Sequence, residues 1–126
     1  MTVLILTAEQ DVTADMVVAK LHERGVPMVR LDPADLPGKA VLSADYAHGD
    51  FDGYLSVNGH VLSMGGLRSV WVRRPGEPAA HAAEPSAWLT AETRQALFGM
   101  LYSASTRWMN HPRRAEQARH KPWQLR

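Results

Sequence analysis

Residues 3–32 read VLILTAEQDVTADMVVAKLHERGVPMVRLD, and this stretch decides the fold. Val3-Leu4-Ile5-Leu6 is an unbroken apolar run, as a strand buried on both faces of a parallel sheet requires. The polar turn Glu9-Gln10-Asp11 follows, and then a helical pattern from about Thr13 to Arg24. Ala14, Met16, Val17 and Leu21 fall on one face of that helix, and Asp11 or Thr13 can cap its open amides. Gly25 suits the left-handed position that ends a helix, and Pro27 bars its continuation. Pro27 to Leu31 then reads as a second strand ending at Asp32. Strand, helix and strand make a crossover unit, which is right-handed almost without exception.

Downstream the pattern changes. Ala40–Ala44, Gly53–Val57 and His60–Met64 read as short strands with partial alternation. Asn58-Gly59 between the last two is the strongest short hairpin signal, because a type I′ turn needs two positive φ angles. Asp50 to Gly53 is expected to form the preceding turn. The economical arrangement is an antiparallel meander inserted between parallel strands. Ser69-Val70-Trp71-Val72 returns to the sheet and ends in Arg73-Arg74-Pro75. A Pro- and Gly-rich loop leads to a long helix expected from Ser86 or Thr90 to Met109. Its apolar face is Leu89, Leu97, Met100, Leu101, Ala104 and Trp108, with Thr93 breaking the stripe. Pro112 opens a short helix, Arg113 to Arg119, and the pattern at Lys121-Pro122-Trp123-Gln124-Leu125-Arg126 stops in mid-course, so the chain is expected to continue in its natural context. The fold class is α/β: a Rossmann-like, mixed sheet of parallel strands plus a meander, with flanking helices.

Composition bounds the function. The chain has 126 residues, 45% hydrophobic and 21% charged, which suits one globular domain and excludes disorder. The net charge of +1 conceals an asymmetry. Residues 1–66 carry nine acids and four bases, a net of −5, whereas residues 67–126 carry ten bases and four acids, a net of +6. Opposite fields in the two halves point to charged partners. The absence of cysteine excludes disulfides, thiolate nucleophiles and Cys-based metal sites. No apolar run approaches the roughly 18 residues of a membrane span. The N-terminus lacks the basic start of a signal peptide, so a cytoplasmic location is expected.

Ligands of open α/β sheets sit beyond the carboxyl ends of the parallel strands. Three places qualify: Ala8 to Asp11, Asp32, and Arg73-Arg74. Two adjacent guanidinium forks before Pro75 suit a carboxylate or phosphate, which each can hold bidentately. Adjacent side chains of an extended segment point to opposite faces. One arginine would therefore reach a ligand while the other pairs with an acid of the N-terminal half, and the structural pair and the ligand site stand as equal alternatives. Met64-Gly65-Gly66 lacks the strand–turn–helix context and the lysine of a phosphate loop, and no dinucleotide fingerprint follows the first strand. The six histidines show no ligand spacing. No nucleophile elbow exposes Ser56, Ser63 or Ser69. Arg107-Trp108 to Arg113-Arg114 mixes bases with an aromatic, but Trp108 belongs to the apolar stripe and the net charge is far below a nucleic-acid footprint.

Trp71-Val72-Arg73-Arg74-Pro75, then Trp108-Met109-Asn110-His111-Pro112 and Lys121-Pro122-Trp123-Gln124-Leu125-Arg126, resemble a known pattern. So do Val3-Leu4-Ile5-Leu6-Thr7, Asp11-Val12-Thr13-Ala14-Asp15 and Arg30-Leu31-Asp32. In order and spacing the set is similar to the N-terminal region of ATP-grasp ribosomal peptide maturases, the graspetide ligases of the microviridin type. The resemblance implies a pre-ATP-grasp domain at residues 1–111, then a linker and the start of an ATP-grasp domain at 112–126. In such ligases the later domains bind ATP and magnesium and activate a peptide carboxylate as an acyl phosphate. A Ser, Thr or Lys side chain then attacks to form ester or amide crosslinks. This chain would hold neither cofactor nor catalytic residue. It would wall the active site, steer the acidic core of a precursor peptide with Arg73 or Arg74, and support dimerisation. Its partners would be the leader and core peptide and the downstream ATP-grasp domains, not nucleic acid or membrane. A reading from another class is a stand-alone Rossmann-like module that binds an acidic peptide or protein.

Overall fold

A computed structural model describes residues 1–47, 50–104 and 106–109. β1 (Thr2–Leu6), α1 (Val12–Glu23) and β2 (Met28–Leu31) open the chain, with β1 and β2 parallel and Leu4 opposite Val29. The Asp11 side chain accepts from the Ala14 amide and caps α1, and Gly25, at φ +66°, turns the chain out of it. Ala14 is the one fully buried residue of α1, with Val17, Val18 and Leu21 half-buried. Met16 was expected on the core face but is 67% exposed. At 100° per residue it lies well away from Ala14 and Val18, so the buried stripe runs through positions 14, 17, 18 and 21 instead.

The meander comprises β3 (Ala40–Ala47), β4 (Asp50–Val57) and β5 (His60–Ser63), antiparallel and in that order. Asn58 at φ +50° and Gly59 at φ +80° make the hairpin turn between β4 and β5. Asp50 to Gly53 is strand, not turn. The ladder runs on through Asp45↔Asp52 to Ala47↔Asp50, because the β3–β4 connection needs only two residues. Alternation sends Ala40, Leu55, Val57 and Leu62 inward and leaves Val41, Tyr54 and Val61 exposed.

β6 (Leu67–Val72) returns beside β1, in parallel, with Leu4 opposite Val70. α2 (Ala87–Ser103) follows, its first amides capped by the Ser86 hydroxyl. The helix was expected to reach Met109, but it stops six residues earlier, where Ala104 turns extended. Arg107–Met109 form β7, parallel to β6, with Trp108 opposite Val70. An apolar residue at 101, 104 and 108 satisfies the helical period, but a strand here covers the edge of β6, and Trp108 packs on Tyr102 at 5.4 Å. Thr93 does not break the stripe: it is buried with Leu97, Met100 and Leu101.

The parallel sheet has the order β2-β1-β6-β7, and the meander is a sheet of its own. Their facing sides and α2 share one core, with Leu4, Leu6, Leu31, Leu55, Val70, Leu97 and Leu101 among its members. Ile5, fully buried outside that cluster, points to the opposite face of β1, where α1 contributes Ala14. The fold is thus α/β with a parallel Rossmann-like sheet and an antiparallel meander. Residues 112–126, and with them the expected Arg113–Arg119 helix, lie outside the described residues. No helix among the described residues is long and apolar enough to cross a membrane.

Candidate functional site

In the order β2-β1-β6-β7, chain connections leave β1 toward β2 on one side and arrive at β6 on the other. A crevice opens at such a reversal, beyond the carboxyl ends of the strands. The segments that flank that position here are the turn Ala8–Asp11 after β1 and Arg73–Gly76 after β6. Backbone pairing outlasts both strands: the Arg73 amide donates to Leu6 O at 2.9 Å and the Ala8 amide to Arg74 O at 2.8 Å. The crevice is therefore built on fixed backbone.

Asp11 is the hub of this wall. It is 6% exposed, and its Oδ2 accepts from the Thr7 hydroxyl at 2.7 Å while Oδ1 accepts from the Ala14 amide at 3.2 Å. Arg73 Nε lies 3.3 Å from the same Oδ2. The Thr7 hydrogen bond, then the Ala14 amide and the charges of Arg73 and Arg74, hold the Asp11 carboxyl below its usual value, against the opposing effect of burial. Arg73 thus takes the structural pairing with an acid of the N-terminal half. Arg74 is exposed, and among the described residues its guanidinium has no hydrogen-bond or ion-pair partner.

Arg30 is a member of the site that sequence reasoning missed. From β2 it donates through Nη2 to the carbonyls of Ala8 at 2.9 Å and Glu9 at 2.7 Å, and Nη1 pairs with Asp15. The turn after β1 is therefore gripped by Arg30 on one side and by Arg73 on the other. Arg30-Leu31-Asp32 at a strand end was the available cue, but a carbonyl-binding arginine leaves no spacing pattern.

Asp32 ends β2 and serves the other wall. Its Oδ1 accepts from Ala34 N at 3.0 Å and from Gly76 N at 3.1 Å. His81 Nδ1 meets Asp35 Oδ1 at 2.7 Å, and the amides of Ala79 and His81 donate to the carbonyls of Pro33 and Ala34. Asp32, Asp35 and His81 bring ligand atoms within 4.8 Å of one another, and their hydrogen bonds clasp the loop after Arg74 onto the 33–35 turn. Met64–Gly66 form a single turn whose Gly66 amide is capped by Ser63.

Residues 2–116 match the family model of the MvdD pre-ATP grasp domain. The chain belongs to that family. This MvdD-type domain superposes on the macrocyclase MdnB of Microcystis aeruginosa MRC with a TM-score of 0.82 and 27% identity, over 98% of this chain and 42% of that one. It matches a RiPP-associated ATP-grasp ligase of Chryseobacterium gregarium, solved in complex with ADP and a leader and core peptide, with a TM-score of 0.82 and 25% identity. That match covers 98% of this chain and 39% of the ligase. The macrocyclase MdnC of Microcystis aeruginosa MRC, bound with its precursor peptide MdnA, shares the fold with a TM-score of 0.80 at 24% identity, over 99% of this chain and 41% of that one. The MvdD-type domain thus spans about two fifths of the solved proteins it resembles. No curated protein matches it.

Proposed function

We propose that this chain is the N-terminal, non-catalytic domain of an ATP-grasp ligase that joins acidic side chains of a ribosomal precursor peptide to Ser, Thr or Lys, giving ester or amide macrocycles. The observation that carries this reading is the agreement over nearly the whole chain with a ligase solved in complex with ADP, leader and core peptide. In this reading ATP, magnesium and the acyl phosphate step belong to the ATP-grasp domains of the full-length enzyme, as the match to a pre-ATP-grasp family and to an ATP-grasp ligase in complex with ADP suggests. The work left to this chain is positional. Its crevice walls one side of the active site, and Arg73-Arg74 give that wall a positive charge that attracts an acidic peptide core. Docking of the leader and core peptide, contact with the ATP-grasp domains and pairing of two copies complete the proposed assembly.

The test is reconstitution. The full-length protein, given ATP, magnesium ions and its precursor peptide, is expected to shorten the peptide mass by one water per ring formed. Tandem mass spectrometry would place each ring between an Asp or Glu and a Ser, Thr or Lys. A peptide recovered unchanged while ATP, magnesium and intact protein are all present would refute the reading.

A further inference from the structure

The two arginines beyond β6 are adjacent in sequence but unequal in the structure. Arg73 is bent onto Asp11, with a side chain 25% exposed and its Nε in contact with a carboxylate that is itself bound by Thr7 and Ala14. Its charge is largely matched where it lies, and moving it outward would strand a buried carboxylate. Arg74 has no such tie. Its backbone is held on both sides, by the Ala8 amide on its carbonyl and by the Asp32 carboxylate on the Gly76 amide two residues later. A side chain without a hydrogen-bond or ion-pair partner among the described residues thus stands on a main chain tied at both ends, which reduces the ordering cost of binding.

We infer that Arg74, and not Arg73, is the residue of this domain that selects the peptide substrate, by holding one side-chain carboxylate at a time at the mouth of the crevice; the inference rests on the peptide-ligase reading above. Arg73, with Arg30, is a positioning residue that fixes the turn against which that carboxylate lies. The charge balance chooses the ligand class. Asp11 sits close enough to Arg74 to feel its charge, and Asp32 is bonded two residues away. A single guanidinium on a segment that already has carboxylates nearby suits a monoanion and works against a doubly charged phosphate. A lone fork also reads one Asp or Glu rather than an acidic run.

The experiment uses the full-length protein and two fluorescein-labelled peptides, one of four Ser-Glu repeats and one of four Ser-Gln repeats, with affinities read by anisotropy. The wild type is expected to prefer the Glu peptide by about three- to tenfold, the range of a partly solvated charge-assisted pair. Arg74→Gln is expected to bring the ratio to about one, and Arg74→Lys to recover part of it, since it restores the charge without the fork. Arg73→Gln is expected to lower the melting temperature while the Glu-to-Gln ratio stays above one. Inorganic phosphate is expected to displace the Glu peptide no better than chloride at equal ionic strength. The inference is overturned if the wild type shows no preference, if Arg74→Gln keeps it, if Arg73→Gln alone abolishes it, or if phosphate competes specifically. Crosslinking of the precursor by the wild type is measured in parallel. Rings formed with an Arg74-independent ratio sink only this inference, whereas an Arg74-dependent ratio without rings sinks the ligase reading.

Discussion

Replacing Gly53 by Ala tests how the meander is seated on the helix. Gly53 lies in β4 opposite Ala44, and its φ is not in the left-handed region, so the backbone itself accepts an alanine. On entropy alone the change would stabilise the fold by about 0.4–1 kcal/mol, because it stiffens the unfolded chain. Space decides otherwise. A Cβ at position 53 would sit 2.7 Å from Met100 Sδ, 2.8 Å from Met100 Cγ and 3.1 Å from Met64 Cγ, and Met100 is 3% exposed, held beside Leu97 and Leu101. Ordinary carbon contacts lie near ~3.5–4.0 Å, so the thioether must move by about 1 Å inside a filled core. Such overpacking costs about 1–3 kcal/mol. At about 4 °C per kcal/mol for a domain of this length, the melting temperature should fall by about 4–12 °C. Urea denaturation should show a lower midpoint at unchanged slope. Met100→Ala alone leaves a cavity and costs about 2–5 kcal/mol. The double variant fills part of that cavity with the new methyl, so its loss should be smaller than the sum of the singles by at least about 1 kcal/mol. Strict additivity, or a Gly53→Ala protein as stable as the wild type, would refute the close approach of β4 and α2.

Three further outcomes are expected. Asp11 is held below its ordinary pKa of 3.8, so its contribution to stability is complete above that pH and is lost as pH falls through the lower folded-state value. Thr7→Val removes the largest cause, so the variant should lose less melting temperature than the wild type between pH 7 and pH 3, and an identical loss would remove Thr7 as the cause. Ser86→Ala deletes the cap of α2 and should cost about 1 kcal/mol in chemical denaturation, with a loss under about 0.3 kcal/mol counting against the capping bond. Arg30→Gln frees the carbonyls of Ala8 and Glu9, so hydrogen exchange should rise in residues 8–11 while β4 stays protected; uniform behaviour in both would contradict a local brace.

The first third of the fold was legible because each local cue agreed with the global one: an apolar run, a capping Asp11, Gly25 at a helix end and a second apolar run. Asn58-Gly59 was equally explicit. Legibility failed where one pattern served two structures. Apolar residues at 97, 101, 104 and 108 satisfy a helix, and only the need to cover β6 converts 107–109 to strand. Met16 failed because four apolar candidates share one short helix and tertiary packing selects among them. Of the candidate site, Arg73-Arg74 stood out by type and place, but which of the two is paired depends on Asp11, 62 residues away from Arg73 in the chain. Arg30 was invisible since its partners are backbone carbonyls, which every residue has.

The position of β7 at the sheet edge bears on synthesis. Among the described residues β7 is the neighbour of β6 on that side, and it follows the whole of α2 in the chain. On the ribosome, β6 therefore emerges with its outer row of amides and carbonyls bare, and it stays so until residues 107–109 have left the exit tunnel. During that interval the nascent chain presents a hydrophobic edge, Val70 and Val72, to any other strand it meets. Translation speed across the α2 codons, and chaperone access while they are read, should then govern how much of this protein reaches the cell in native form.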